Sequence, residues 1–291
     1  MSMSVPADAP EPCDAWYEAV RNCGVNRSYT IAFSVRSGSN EICNLLARNG
    51  MGSPAEHFQS MESFKREQSA LHNLLDIVSR HVREGIFGSK MAHDHRARID
   101  SLLRIEIPNY VTIADVFPDH KWVWLIRRDK IAQAISLCRA EQSGVWATPS
   151  LDLKEGRQLY EFDFYYILSR VMMLSASDIA WATYFDTHKI HPYKIYYEEF
   201  FHDIDRQLFD LSAYLGGRPS SCNSSTLHNV PTLCIQRDEL SLDWYKRFAL
   251  MLNRVGELGE PSNAIRQNWE RFFFGRGWLS RTSPEEPPQQ S

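Results

Sequence analysis

Hydrophobic and polar positions along this chain follow two periods, and the places where one gives way to the other mark its elements. Around residue 30 the period is two: Tyr29, Ile31, Phe33 and Val35 fall on one side of a pleated strand. From Glu41 the apolar residues Ile42, Leu45 and Leu46 recur at helical spacing. Between them Arg36, Ser37, Gly38, Ser39 and Asn40 form a small-residue turn. Residues 14–23 predict a short helix ahead of the strand. Residues 50–58, bounded by Gly and Pro, predict a loop or a very short strand that would bring Glu56 back to the turn.

Further on, Leu71, Leu74, Leu75, Val78 and Val82 line one side of a long amphipathic helix over residues 64–84, stopped by Gly85. Residues 86–91 form a brief apolar strand carrying Lys90, followed by His93 and His95. The continuous apolar run over residues 121–126 predicts a strand at the centre of a sheet. It is followed by Arg127, Arg128, Asp129 and a helix over residues 130–144 that buries Ile131, Ile135 and Cys138. A second long helix is expected over residues 162–188, where the aromatic and Met stripe suits a core. A short strand follows over 193–197, then a helix over 198–215 closed by Gly216 and Gly217. A polar loop over 220–232 precedes helices at 240–255 and 265–274. Strands alternating with helices predict one α/β domain with a mostly parallel sheet covered on both faces.

Charge and cysteine usage narrow the function classes. The 291 residues carry 36 Asp+Glu against 32 Lys+Arg, which offers no basic footprint for a nucleic acid. The six cysteines contain no C-x-x-C pair, and Cys43 and Cys138 sit on apolar helix faces, as reduced core thiols do. No apolar run approaches about 18 residues, so no membrane span is expected. A soluble, cytoplasmic protein is the expectation, with frayed ends over residues 1–12 and 283–291.

The candidate chemistry starts at the turn. Backbone N–H groups at a helix N-terminus favour an anion, because they lack intrahelical acceptors and the helix dipole adds to them. The nucleoside-triphosphate loop G-x-x-x-x-G-K-[ST] is absent, since Arg36 opens the turn and no Lys follows Gly38. A loop this short suits one phosphate with a further anionic group; an ordinary turn capped by Ser37 or Ser39 is the plainer alternative. Arg127 stands at a strand end and Ser136 lies on the helix after it, while Gln236 and Arg237 precede a later helix. In the plainer reading Arg127 pairs with a carboxylate and Ser136 is a surface residue. His93 and His95 lack a third ligand at recognisable spacing, so no metal is expected.

Four blocks, in order, carry a resemblance. They are Arg36-Ser37-Gly38-Ser39, the stretch from Gly52 to Gln59, Phe87-Gly88-Ser89-Lys90-Met91, and the run from Ile126 to Gln142 continuing to Trp146. Weaker likeness continues through Tyr197-Glu198 to Gln236-Arg237 and Trp244-Tyr245. Together they resemble the bacterial carbohydrate sulfotransferases typified by trehalose 2-sulfotransferase. The resemblance implies a P-loop-like, three-layer α/β sulfotransferase fold over residues 29–255, with an extension over 1–28 and a helix and flexible tail over 256–291.

The resemblance also implies 3′-phosphoadenosine 5′-phosphosulfate as donor and a hydroxyl acceptor on a sugar, glycolipid or other small molecule, with a homodimer as the possible assembly. Residues 36–40 would then cradle the 5′-phosphosulfate. Arg127 and Ser136 would hold the 3′-phosphate, with Gln236 and Arg237 also on the donor side. Glu56 takes the place of the family's general base, and Lys90 would neutralise the transferring group or meet the acceptor. Asn40 stands where the family usually has Thr. His93, Asp94 and His95 replace a more apolar stretch, which points to a different acceptor pocket; His57 or the His93–His95 pair is the fallback base. A nucleotide or small-molecule kinase and a non-catalytic nucleotide-binding scaffold remain the alternatives.

Overall fold

The computed structural model describes residues 12–59, 69–107, 109–146, 160–217 and 238–254. Four strands are present: β1 (Arg27–Phe33), β2 (Ile86–Ala92), β3 (His120–Ile126) and β4 (Tyr193–Tyr196). They pair in parallel in the order β2-β1-β3-β4. β1 and β3 are therefore interior; β1 is buried along almost all its length and β3 through its middle. Because Phe33 pairs with both Ala92 and Leu125, three strands end at one level. The loops that leave them gather on one edge, where ligands of open α/β sheets sit.

The alternation of β1 decides what covers each face. Tyr29, Ile31 and Phe33 pack with Ile42, Leu45 and Leu46 of α2 (Ser39–Arg48), and with Phe200 of α7 (Tyr197–Phe200) and Leu208 and Leu211 of α8 (Ile204–Tyr214). On the opposite face Ala32, Phe87, Trp122 and Trp124 meet α1 (Pro12–Asn22), α3 (Ala70–His81), α4 (His93–Glu106) and the end of α6 (Phe164–Thr187). The result is three layers, helix on sheet on helix. A third apolar cluster joins α5 (Lys130–Ser143) and the start of α6 to Trp244 and Phe248 of α9 (Glu239–Leu252). Cys43 and Cys138 are buried free thiols, and burial pushes the Cys43 thiol up to about 12. No helix among the described residues is long and apolar enough to cross a membrane.

Three elements differ from the sequence expectation. α3 ends at His81 and not at 84, because Glu84 (φ 51°) and Gly85 (φ 75°) form a tight turn closed by two hydrogen bonds between Arg83 and Ile86. The expected helix over 198–215 is two helices, since the Asp203 carboxylate accepts from the Arg206 N–H and starts α8 anew. Residues 50–58, expected as a loop or a very short strand, are a loop with a single bridge between Ala55 and Ser89. α4 was not expected at all: its sequence is rich in charge, and tertiary contacts hold it. Arg96 pairs with Asp100, which is 3 % exposed and accepts from Tyr110 Oη. Burial raises the Asp100 pKa, and these two donors oppose that shift. The expected helix at 265–274 lies outside the described residues.

Candidate functional site

The turn after β1 is shaped by two left-handed residues, Arg36 (φ 62°) and Gly38 (φ 87°). Gly38 caps α2, and a Cβ there would lie 2.8 Å from the Tyr197 ring and 3.0 Å from that of Phe201. Glycine is thus required twice, by the backbone conformation and by the aromatic pair packed on the turn. Ser37 is fully buried, and its Oγ has no hydrogen-bond partner among the described residues. A sealed hydroxyl without a partner at a helix N-terminus suits a bound anion.

Two arginines bring positive charge to one side of this turn. The Arg36 Nε donates to Ser136 Oγ on α5 at 3.0 Å, and its Nη1 donates to the Trp146 carbonyl at 2.6 Å. Arg127, at the end of β3, donates to the Arg36 carbonyl at 3.1 Å and lies over the Tyr197 ring at 4.5 Å. Burial lowers the Arg36 pKa, and the nearby Arg127 charge lowers it further. Two guanidiniums held close together at the turn form a site that an anion would stabilise. Arg36, expected along the turn, thus joins Arg127 and Ser136.

α5 fixes this arrangement through one face. Asp129 caps the helix by accepting from the Ala132 N–H. One turn on, Gln133 is fully buried and donates to Ser34 Oγ and to the Val35 carbonyl. Its own carbonyl accepts from Lys130, which also pairs with Asp178 on α6 at 2.6 Å. Glu198 accepts from the backbone N–H groups of Arg128 and Asp129, and those bonds hold its carboxyl below the usual range against burial. Trp181 donates to the Phe33 carbonyl, where β1 runs out. Sequence reasoning missed Gln133 and Trp181; a signal for Gln133 was available, because it shares a helix face with Ser136 three residues on.

The second side of the turn holds Glu56 and Lys90. Lys90 is buried, and its Nζ lies 2.8 Å from Glu56 Oε1. It also donates to Asn40 Oδ1 and, at 3.5 Å, to Ser39 Oγ. His57, beside Glu56, turns elsewhere: its Nε2 is 2.8 Å from the Ser53 carbonyl and its ring stacks on His81 at 4.0 Å. His93 contacts Arg96 and packs edge-on against Trp181. Burial and the Arg96 charge push its pKa down to about 4, so at neutral pH its ring carries no charge. Of the expected site residues, the structure gathers Arg36, Ser37, Gly38, Ser39, Asn40, Glu56, Lys90, Arg127 and Ser136 around one turn. Gln236 and Arg237 lie outside the described residues.

A family described as Stf0 sulphotransferase matches residues 28–250. No curated protein matches the chain. Among solved structures, the crystal structure of a sulfotransferase from Alicyclobacillus acidocaldarius is similar over 67 % of this chain and 81 % of that one, at 18 % identity and a TM-score of 0.39.

Proposed function

The chain belongs to the Stf0 sulphotransferase family, and from that premise we propose that it moves a sulfuryl group from 3′-phosphoadenosine 5′-phosphosulfate to the hydroxyl of a sugar, glycolipid or other small molecule. The observation that carries the reading is Arg36, at the turn before α2, which donates to Ser136 Oγ while its own carbonyl accepts from Arg127. The donor has two anionic ends, and the turn offers two anion-binding features. The backbone N–H groups at the start of α2, with the unpartnered Ser37 hydroxyl, suit the 5′-phosphosulfate. Arg127, Ser136 and the Arg36 guanidinium suit the 3′-phosphate, the group that separates this donor from AMP-like nucleotides.

When bound, the donor supplies an activated sulfuryl group on a phosphate leaving group. The remaining tasks fall to the chain. The N–H groups at the start of α2 stabilise the charge that builds on the leaving oxygen. Glu56, partly exposed beside the turn, takes the proton of the attacking hydroxyl. The acceptor approaches from the carboxyl edge of the sheet, where α4 begins with His93, Asp94 and His95. No step needs a metal ligand from the chain.

The test separates donor classes without turnover. 3′,5′-Diphosphoadenosine is expected to raise the melting temperature clearly more than AMP does, by mass action. Arg127→Ala should remove most of that difference, because a lost charge-assisted contact costs about 1.5–3 kcal/mol. Equal stabilisation by AMP and the diphosphate would overturn the donor assignment and favour a kinase-like nucleotide site.

A further inference from the structure

The anion turn and Glu56 come from different parts of the chain, and one side chain joins them. An ammonium has three N–H donors. In Lys90 two of them reach Ser39 Oγ at 3.5 Å and Asn40 Oδ1, Nζ forms an ion pair with Glu56 Oε1 at 2.8 Å, and the Phe33 ring lies 4.9 Å from Nζ. The Lys90 side chain is only 7 % exposed, whereas that of Glu56 is 27 % exposed. Among the described residues Glu56 Oε2 makes no hydrogen bond. Lys90 is therefore held inward by two hydrogen bonds and an ion pair, and the partly exposed Glu56 carboxylate is anchored on its Oε1 side.

We propose that Lys90 is a positioning residue that acts through Glu56. It holds one carboxylate oxygen so that the other faces the acceptor hydroxyl, and it ties that aim to the first turn of α2. The inference rests on Glu56 being the proton acceptor. The backbone adds to the side-chain link. The Lys90 N–H donates to the Ala55 carbonyl at 2.9 Å, so one residue fixes both the main chain before Glu56 and its carboxylate. This matters because residues 50–58 have only one bridge to the sheet, and a glutamate in such a loop would otherwise sample many rotamers. Proton removal needs the carboxylate within about 2.6–3.2 Å of the hydroxyl. A misplacement of about 1 Å costs on the order of 10²-fold in rate. Asn40 completes the link: by accepting from Lys90, it makes the start of the anion-binding helix the anchor for the base.

The rival role for Lys90 is direct contact with the transferring sulfuryl oxygens, and a double-mutant cycle tells the two apart. The assay is transfer of radiolabelled sulfuryl from 3′-phosphoadenosine 5′-phosphosulfate to a mixture of mono- and disaccharides. It is run on wild type, Lys90→Met, Glu56→Gln and the double variant. Lys90→Met is expected to lower turnover by roughly 10²-fold. The double variant should be no worse than Glu56→Gln alone within about threefold, and Lys90→Arg should recover part of the loss.

Calorimetry with 3′,5′-diphosphoadenosine, which needs no turnover, should give affinities within about twofold of wild type for all folded variants. Unchanged turnover in Lys90→Met, multiplicative losses in the double variant, or a folded Lys90→Met that binds the diphosphate poorly would each overturn the proposal. Near wild-type turnover in Glu56→Gln would instead overturn the premise about Glu56. If thermal unfolding shows Lys90→Met to be unfolded, Lys90→Gln, which keeps two N–H donors, carries the same cycle under the same criteria.

Discussion

On the α5 side of the turn, charge accumulates. Arg36 and Arg127 donate to a hydroxyl and to backbone carbonyls, and the Arg127 charge disfavours the charged form of Arg36. On the β2 side, charge is matched: the Lys90 ammonium meets the Glu56 carboxylate at 2.8 Å and spends its other donors on Asn40 and Ser39. Two neighbouring guanidiniums that disfavour each other's charge gain when an anion arrives. A neutralised pair gains nothing from an anion, but it holds a geometry. The proposed function accordingly puts binding on the first side and chemistry on the second, with Gly38 between them.

The sharpest way to break this comparison is Glu56→Gln. It keeps the shape and a hydrogen-bonding group but cannot accept the proton, so turnover should fall roughly 10²–10⁴-fold. Diphosphate affinity, measured by calorimetry on the same preparation, should stay within about twofold. A large loss of diphosphate affinity would mean that the two sides are not separable.

A smaller effect, felt on both sides, is expected at the turn itself. Gly38→Val places a branched side chain at φ 87° with its Cβ 2.8 Å from the Tyr197 ring. The left-handed backbone alone costs about 1–3 kcal/mol. The melting temperature should drop by about 2–4 °C for each kcal/mol lost. Diphosphate binding should weaken as well, since α2 begins at this residue. An unchanged melting temperature would show that Tyr197 and Phe201 do not pack on the turn in solution.

The smallest effect at neutral pH belongs to groups outside both sides. Burial pushes His120 down to about 3 and, with Arg96, His93 down to about 4. Both rings gain protons more readily in the unfolded chain, whose histidines titrate near about 6.5. Their stabilising effect is therefore complete above that pH and is lost as pH falls toward 4 and 3. Each contributes a slope of up to about 1.4 kcal/mol per pH unit in this window. Denaturant titrations between pH 7 and pH 5 should show the decline, and His120→Gln should flatten it. An equally steep decline in that variant would place the acid sensitivity elsewhere.

Much of the framework was legible along the chain. The switch from period two to the helical period marked β1, the turn and α2, and the continuous apolar run marked β3 as interior. These features depend on residues a few positions apart, so a window of sequence contains their cause. α4 escaped because its charged residues give no clear stripe, and tertiary bonds hold it. The helix break at Asp203 escaped because a capping carboxylate looks like any surface acid until its N–H partner is known.

The sequence by itself determined the α/β alternation and the small-residue turn between β1 and α2, and it supplied the residue types of the proposed site: Arg36, Gly38, Glu56, Lys90, Arg127 and Ser136. Only the tertiary structure decided their partners. Arg36 meets Ser136 100 residues away, Lys90 meets Asn40 50 residues away, and Gln133 reaches back to Ser34 across 99. Those pairings follow from the strand order β2-β1-β3, which sets Lys90 on one side of the turn and Arg127 on the other. Strand order is a property of how the layers pack, and no local period of the chain encodes it.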